Sequence, residues 1–264
     1  TINFFYTFST KIFGSDIIAI DSKFYKFLWK EESNKIFKEL KTLRKETKKI
    51  IFFDTTDSSG SINSKVLPFV DLYCKSQALK NRNNYKINFY GNRIYSDYYH
   101  KNFGVFDKDE EFSDNILDPN QLKKITISWN SGLADYSLLG PMRMKLYKYF
   151  PFNFLLKFPS YDKKKKLKTI NVNCRFGKKY SKESVAWQRK EITKILGSFI
   201  VKKKLHRFSY FNELKKSKII ISPFGWGEIT LKDFETFFVG SLLVKPDLSH
   251  LETWPNLFIS NKTF

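Results

Sequence analysis

The residues best suited to do chemistry stand close together: Ser222-Pro223-Phe224-Gly225-Trp226-Gly227-Glu228, then Lys232-Asp233-Phe234-Glu235, Gly240 and Lys245-Pro246-Asp247. The apolar run Lys218-Ile219-Ile220-Ile221-Ser222 is stopped by Pro223 and reads as a buried strand. Gly225 and Gly227 then allow the backbone to approach a ligand before a helix begins near Leu231. Amides at such a helix start bind phosphate. Glu228 falls at or just before the helix, and Asp233 and Glu235 fall on it, turned to different faces so that they do not address one ligand together. Any one of these glutamates, taken alone, is more simply a helix cap or a solvated surface group.

The elements that must position this segment follow an alternation of strands and helices, the mark of a parallel α/β sheet. Asp16 to Ile20 and Ile50 to Phe53 are apolar strand runs, and the stretch from Glu31 to Lys48 carries Ile36, Phe37, Leu40 and Leu43 at helical spacing. The second run ends at Asp54 in a polar cluster, Thr55-Thr56-Asp57-Ser58-Ser59-Gly60-Ser61. Loops at the carboxyl ends of parallel strands are where such folds bind ligands. Residues 67 to 99 show no clean period, and Ile125 to Asn130 reads as a strand entering a polar turn.

After the proline-punctuated stretch Pro151 to Pro159 comes the run Lys163-Lys164-Lys165-Lys166, suited to an exposed linker, and the expected boundary is at 158/159. The spacing then predicts a strand over Thr169 to Cys174, a helix over Ser184 to Leu196, and a strand over Ser198 to Val201. A helix over Tyr210 to Lys216, the strand at Lys218 to Ser222, a helix over Leu231 to Val239 ended by Gly240, and a strand over Leu242 to Val244 complete the alternation. The expectation is α/β, with two Rossmann-like lobes over 1–158 and 159–264. Both are expected to be incomplete at the chain termini, since there is no initiator Met and a lobe of this kind usually continues past Phe258.

The segment from Ser222 to Asp247, continued by His250-Leu251-Glu252-Thr253-Trp254-Pro255, resembles the donor-binding motif of GT-B glycosyltransferases, in particular bacterial sugar transferases of O-antigen, capsule and lipopolysaccharide synthesis. Phe53-Asp54-Thr55-Thr56-Asp57, Leu67 to Asp71, Tyr95 to His100 and Trp129 to Tyr136 also look like this group, so the resemblance covers most of the chain. It implies an acceptor-side first lobe and a nucleotide-sugar-binding second lobe. It implies that Glu235 grips the donor ribose and that Glu228 lies nearer the sugar or phosphates. Gly225, Gly227, Lys232 and Lys245 are donor-binding by the same resemblance. Lys232 stands where Arg is common, which keeps the charge but not a bidentate grip. Arg175 sits where the first strand of a donor lobe delivers a basic residue to the phosphates, with Lys178 or Lys179 as substitutes, whereas Arg189 is expected to brace its helix. Glu228 and Glu235 stand closer in sequence than the paired glutamates of retaining GT-B enzymes, which leaves the stereochemical outcome open.

Transfer to a sugar hydroxyl needs a base, and a loop carboxylate at a strand end suits that role. Asp57 is the first candidate and Asp135 the second, although a loop-capping turn is the plainer reading of either. His100, His206 and His250 have no metal-ligand spacing, so no obligatory metal is expected, and the nucleotide sugar is a co-substrate rather than a resident cofactor. Cationic side chains and helix-start amides would meet the charge of the departing nucleotide.

Composition bounds the alternatives. The 264 residues are 42% hydrophobic and 18% aromatic, ample for two packed cores and unlike a disordered chain. Cys74 and Cys174 lie far apart without zinc or disulfide spacing. A formal charge of +21 favours acidic partners, including an anionic membrane touched peripherally, but AT-rich coding alone would produce much of it. The expected partners are a nucleotide sugar and a glycan or lipid-linked glycan acceptor, at a cytoplasmic location. Nucleic acid is not expected, because the basic residues are spread along the chain without a recognition motif. A basic nucleic-acid-binding protein and a catalytically inactive GT-B-like scaffold are the competing readings.

Overall fold

In the computed structural model, residues 3, 5–25, 28–130, 133, 140–147, 149–150, 152–155, 167–200 and 204–263 are described. The strands are β1 (Ile17–Asp21), β2 (Lys49–Asp54), β3 (Leu72–Lys75), β4 (Gln77–Leu79), β5 (Ile125–Ile127), β6 (Ile170–Asn173), β7 (Ser217–Ile221), β8 (Leu242–Val244) and β9 (Leu251–Thr253). The α-helices are α1 (Leu28–Glu31), α2 (Ser33–Glu46), α3 (Ile94–Phe103), α4 (Pro119–Leu122), α5 (Gly140–Tyr147), α6 (Glu183–Ile195), α7 (Arg207–Lys216) and α8 (Leu231–Phe238).

The chain forms an α/β structure with two parallel sheets. One has the order β1-β2-β3-β5 and the other β6-β7-β8; an antiparallel pair, β4-β9, stands apart from both. Two compact units result. One comprises residues 1–97, 110–130 and 250–255, and the other 98–109, 131–249 and 256–264. The break expected at 158/159 lies outside the described residues. The observed division recrosses the chain several times, and the segment from His250 to Pro255 belongs with the first unit because β9 pairs with β4.

In the first unit the helical spacing read from the sequence places Ile36, Leu40 and Leu43 on the buried face of α2, within a core that also holds Ile18, Ile20, Ile50 and Phe52. Truncating a fully buried leucine such as Leu40 to alanine removes about 2–5 kcal/mol. The aperiodic stretch 67–99 is organised by buried polar groups rather than by a repeating apolar face. The Tyr85 hydroxyl donates to the Ser59 carbonyl at 2.9 Å and accepts from the Leu79 amide at 2.9 Å, tying the loop after β2 to the end of β4.

In the second unit β6, β7 and β8 lie parallel, with α6 and α7 between the first two strands in sequence and α8 between the last two. The start of α6 is secured by Asp107, whose carboxylate accepts from the Ser184 amide at 2.8 Å and hydroxyl at 2.7 Å. The strand expected over Ser198 to Val201 is instead a 3-10 turn at Gly197–Phe199. Only Ile200 bridges to Cys174, and Val201 lies outside the described residues. The Phe199 amide donates to the Leu196 carbonyl at 2.8 Å and the Ile200 amide to the Gly197 carbonyl at 3.5 Å, so these amides are used in a local turn rather than in a sheet ladder. No helix among the described residues is long and apolar enough to cross a membrane.

Candidate functional site

The carboxyl ends of β6 and β7 and the start of α8 surround a cavity of about 650 Å³ in the second unit. Arg175 follows β6, Ser222 and Pro223 follow β7, and Thr230, Leu231 and Lys232 open α8 at the cavity wall. The helix begins here for a local reason. The Asp233 carboxylate accepts from the Thr230 amide at 2.7 Å and hydroxyl at 3.2 Å, closing the first turn. It ends at Gly240, whose φ of +62° suits glycine.

The loop between β7 and α8 is held from α6. Both backbone polar groups of Phe224 are bound by adjacent residues: its amide donates to the Gln188 side-chain oxygen at 2.9 Å and its carbonyl accepts from Arg189 Nε at 2.8 Å. Arg189 also donates from Nη1 to the Gly177 carbonyl at 2.7 Å, and its guanidinium lies 4.7 Å from the Tyr180 ring centroid. The sequence reading has it brace its own helix. It braces two loops instead and lines the cavity. Its position two turns into an ordinary amphipathic helix carries no signal of this.

Gly225 also lines the cavity, and a Cβ there would stand 3.3 Å from the Thr230 methyl, so the loop passes close to the helix start. The Gly227 carbonyl accepts from the Gly225 amide at 3.0 Å, which folds the loop back on itself. Arg175 lines the cavity, but its Nε and Nη2 form a bidentate pair with Glu213 at 3.0 and 2.7 Å. Those bonds hold the Glu213 carboxyl below its usual range, against the opposing effect of burial. Lys178 sits half-buried on the same loop and does not line the cavity.

Lys232 is the most perturbed cation of the wall. Burial first, and repulsion from Arg189 second, bring its ammonium down to about 8, while its Nζ donates to the Arg175 carbonyl. Glu235 stands one layer back. It accepts from the Tyr210 hydroxyl at 2.7 Å, and Tyr210 forms part of the wall. Burial raises the Glu235 carboxyl even though that hydrogen bond favours its ionised form.

Of the predicted donor-binding residues, Lys178, Gly227, Glu228, Glu235 and Lys245 lie outside the cavity wall. Glu228 is completely buried, and Lys245 is fully enclosed, 3.0 Å from the Asp233 carboxylate and 5.3 Å from the Phe224 ring centroid. Burial lowers the Lys245 ammonium, opposed by Asp233. In this position Lys245 ties the end of β8 to the first turn of α8. The structure therefore brings together Arg175, Gly225 and Lys232 at the wall, with Glu235 behind Tyr210. Arg189, expected only to brace its helix, and Lys204, which the sequence did not single out, join them.

In the first unit Asp57 is an exposed loop residue whose carbonyl accepts from the Gln77 side chain. Asp135 lies outside the described residues. The carboxylate buried nearby is Asp54, at the end of β2, which accepts from Lys75 at 2.7 Å, the Tyr73 hydroxyl at 2.9 Å and the Thr56 amide at 2.9 Å. Burial pushes its carboxyl up, but the Lys75 charge and the hydrogen bonds outweigh it and the net shift is downward. Among the described residues no group of three or more His, Cys, Asp or Glu side chains is placed to hold a metal ion. No known protein-family model matches the chain, and no curated protein matches it.

Proposed function

We propose that this chain is a metal-independent glycosyltransferase of the GT-B kind, which moves a sugar from a nucleotide-activated donor to a glycan acceptor in surface polysaccharide or lipopolysaccharide synthesis. The observation that carries the reading is the cationic cavity at the carboxyl end of a parallel sheet, opening on the start of a helix. Among the described residues its wall contains Arg175, Arg189, Lys204 and Lys232 and no carboxylate. Cations and a helix N-terminus together suit a diphosphate. The motif from Ser222 to Asp247, by which the chain resembles GT-B donor lobes, builds much of that wall.

In this reading the diphosphate lies against Lys232, Arg189 and the first turn of α8. The ribose hydroxyls reach the Tyr210 and Glu235 pair, and Phe176, Tyr180 and Leu205 give the base an apolar wall. An acceptor hydroxyl gives its proton to a loop carboxylate, with Asp57 the first candidate and Asp135 the second. Its oxygen bonds to the anomeric carbon, and the bond from that carbon to the nucleoside diphosphate breaks. The wall cations then stabilise the negative charge gathering on the leaving phosphates. The reading places the work on the cytoplasmic side of the membrane, where activated sugars are supplied.

Calorimetry with a panel of nucleoside diphosphates and their sugar conjugates tests the proposal. The expected result is saturable binding that Lys232→Met weakens. Failure of every nucleotide in the panel to bind the folded chain would overturn it.

A further inference from the structure

Arg175 lines the cavity of the second unit beside Lys232 and Arg189, yet its side chain is already committed to a carboxylate. Its Nε and Nη2 donate to Glu213, on α7, at 3.0 and 2.7 Å, and Glu213 itself does not line the cavity. The two side chains are 12% and 20% exposed, so the pair is not one of the solvated surface bridges that fix nothing in place. Glu213 is oriented without help from Arg175. Its Oε1 accepts from the Asn173 side-chain amide at 2.6 Å, and its main-chain carbonyl accepts from the Ser217 hydroxyl at 2.8 Å. Asn173 ends β6, Ser217 opens β7, and both are buried. The carboxylate is therefore a fixed point against which the longer arginine is aligned. Arg175 is held at its backbone as well, where its carbonyl accepts from Lys232 Nζ.

A guanidinium is planar, and a carboxylate along one edge fixes that plane without removing the charge. An arginine aligned in advance loses less rotamer freedom on meeting a phosphate than one the ligand must order. Two roles for Glu213 differ in sign. If it only fastens α7 to β6, its negative charge near a cationic cavity repels an anion, and removing that charge tightens anion binding. If it aligns Arg175, removing it weakens anion binding in spite of the repulsion relieved. The second role fits the arrangement, in which Arg175 stands in the wall and its carboxylate partner is kept out of it.

We propose that Glu213 is a positioning residue, which holds Arg175 so that its guanidinium meets the phosphates of the ligand in this cavity. That the phosphates belong to a nucleotide sugar rests on the glycosyltransferase reading; that Glu213 governs the affinity for them does not.

The test is calorimetry on the full chain with uridine, guanosine and adenosine diphosphates and with inorganic pyrophosphate, in the parent, Glu213→Gln, Arg175→Met and the double variant. Glutamine keeps the size of the side chain but sets an amide nitrogen against one of the arginine donors. Glu213→Gln weakens the tightest of these ligands about tenfold or more, and Arg175→Met does the same. In the Arg175→Met background Glu213→Gln causes no further loss, because no guanidinium is left to align. Equal or tighter binding by folded Glu213→Gln, or a second loss of the same size in the double variant, would overturn the proposal. If Glu213→Gln does not fold, the Arg175 Nε–H resonance of the parent decides. It shifts when the tightest ligand is added and stays protected from solvent exchange; a resonance that does not respond, or that loses its protection, overturns the assignment. Failure of all four ligands to bind sinks both this role and the glycosyltransferase reading. Pyrophosphate binding that depends on Glu213, in a chain that binds no nucleotide, would sink that reading alone and leave Glu213 in this role.

Discussion

Lys232 offers the sharpest perturbation, because the same buried charge acts in opposite directions on stability and on ligand affinity. Its ammonium is brought down to about 8, from about 10.4 in an unfolded chain. Between those values the unfolded state holds the proton more tightly, so the folded state gains stability as pH rises from about 8 to about 10. Below about 8 the charged lysine costs the fold about 3 kcal/mol relative to the unfolded chain, at about 1.4 kcal/mol per pH unit. Lys232→Met removes that cost and also the bond to the Arg175 carbonyl, which contributes about 1 kcal/mol. The ligand-free variant should therefore be about 2 kcal/mol more stable than the parent at pH 7 in urea unfolding.

Anion binding runs the other way. A charge-assisted hydrogen bond contributes about 1.5–3 kcal/mol, so nucleoside diphosphate affinity falls roughly 10- to 100-fold in the variant. In the parent the charged fraction of Lys232 drops from about nine-tenths at pH 7 to about one-tenth at pH 9, and affinity weakens about tenfold across that window. The variant shows no such pH dependence. A less stable Lys232→Met protein, or parent affinity that is flat from pH 7 to 9, refutes the reasoning.

Asp57→Asn is expected to leave donor affinity within about twofold while the transfer rate falls by roughly two to four orders of magnitude, the usual contribution of a general base. Transfer at the parental rate, measured by product formation, returns Asp57 to a loop-capping role. Glu235→Ala should weaken donor binding before it slows turnover, because a ribose contact exists in both ground and transition states; a fall in kcat with KM unchanged would contradict that assignment. Lys75→Met strands the buried Asp54 carboxylate and should cost about 3–5 kcal/mol in chemical unfolding, and a loss below about 1 kcal/mol would show that Asp54 finds another partner. Because the Asp54 carboxyl is lowered in the fold, its stabilisation is complete above about pH 4 and is lost as the pH falls below that value; a parent whose stability does not fall with acid would contradict this.

Much of the framework was legible in the chain itself, where side-chain periodicity acts over a few residues. Ile36, Leu40 and Leu43 mark the buried face of α2, the apolar runs at 16–20, 50–53 and 218–222 become the strands Ile17–Asp21, Lys49–Asp54 and Ser217–Ile221, and Gly240 ends α8 at positive φ. The strand expected near 198 is instead a 3-10 turn, whose amides are bonded to carbonyls three residues back. Partners distant in sequence left no such trace. Asp107 secures Ser184, Arg175 is matched to Glu213, and Lys245 closes on Asp233; each is an ion or hydrogen-bond partner chosen only when the fold brings a loop or strand end against a helix distant in sequence. The two lysines of the same motif show the difference most directly. Lys232 and Lys245 look equivalent as sequence, yet one lines a cavity and the other is buried against a carboxylate. The sequence determined that both are cations of one motif, Lys232 in the first turn of a helix and Lys245 just past a strand, whereas burial and the nearest opposite charge, which exist only in the folded chain, decided which of them lines the cavity.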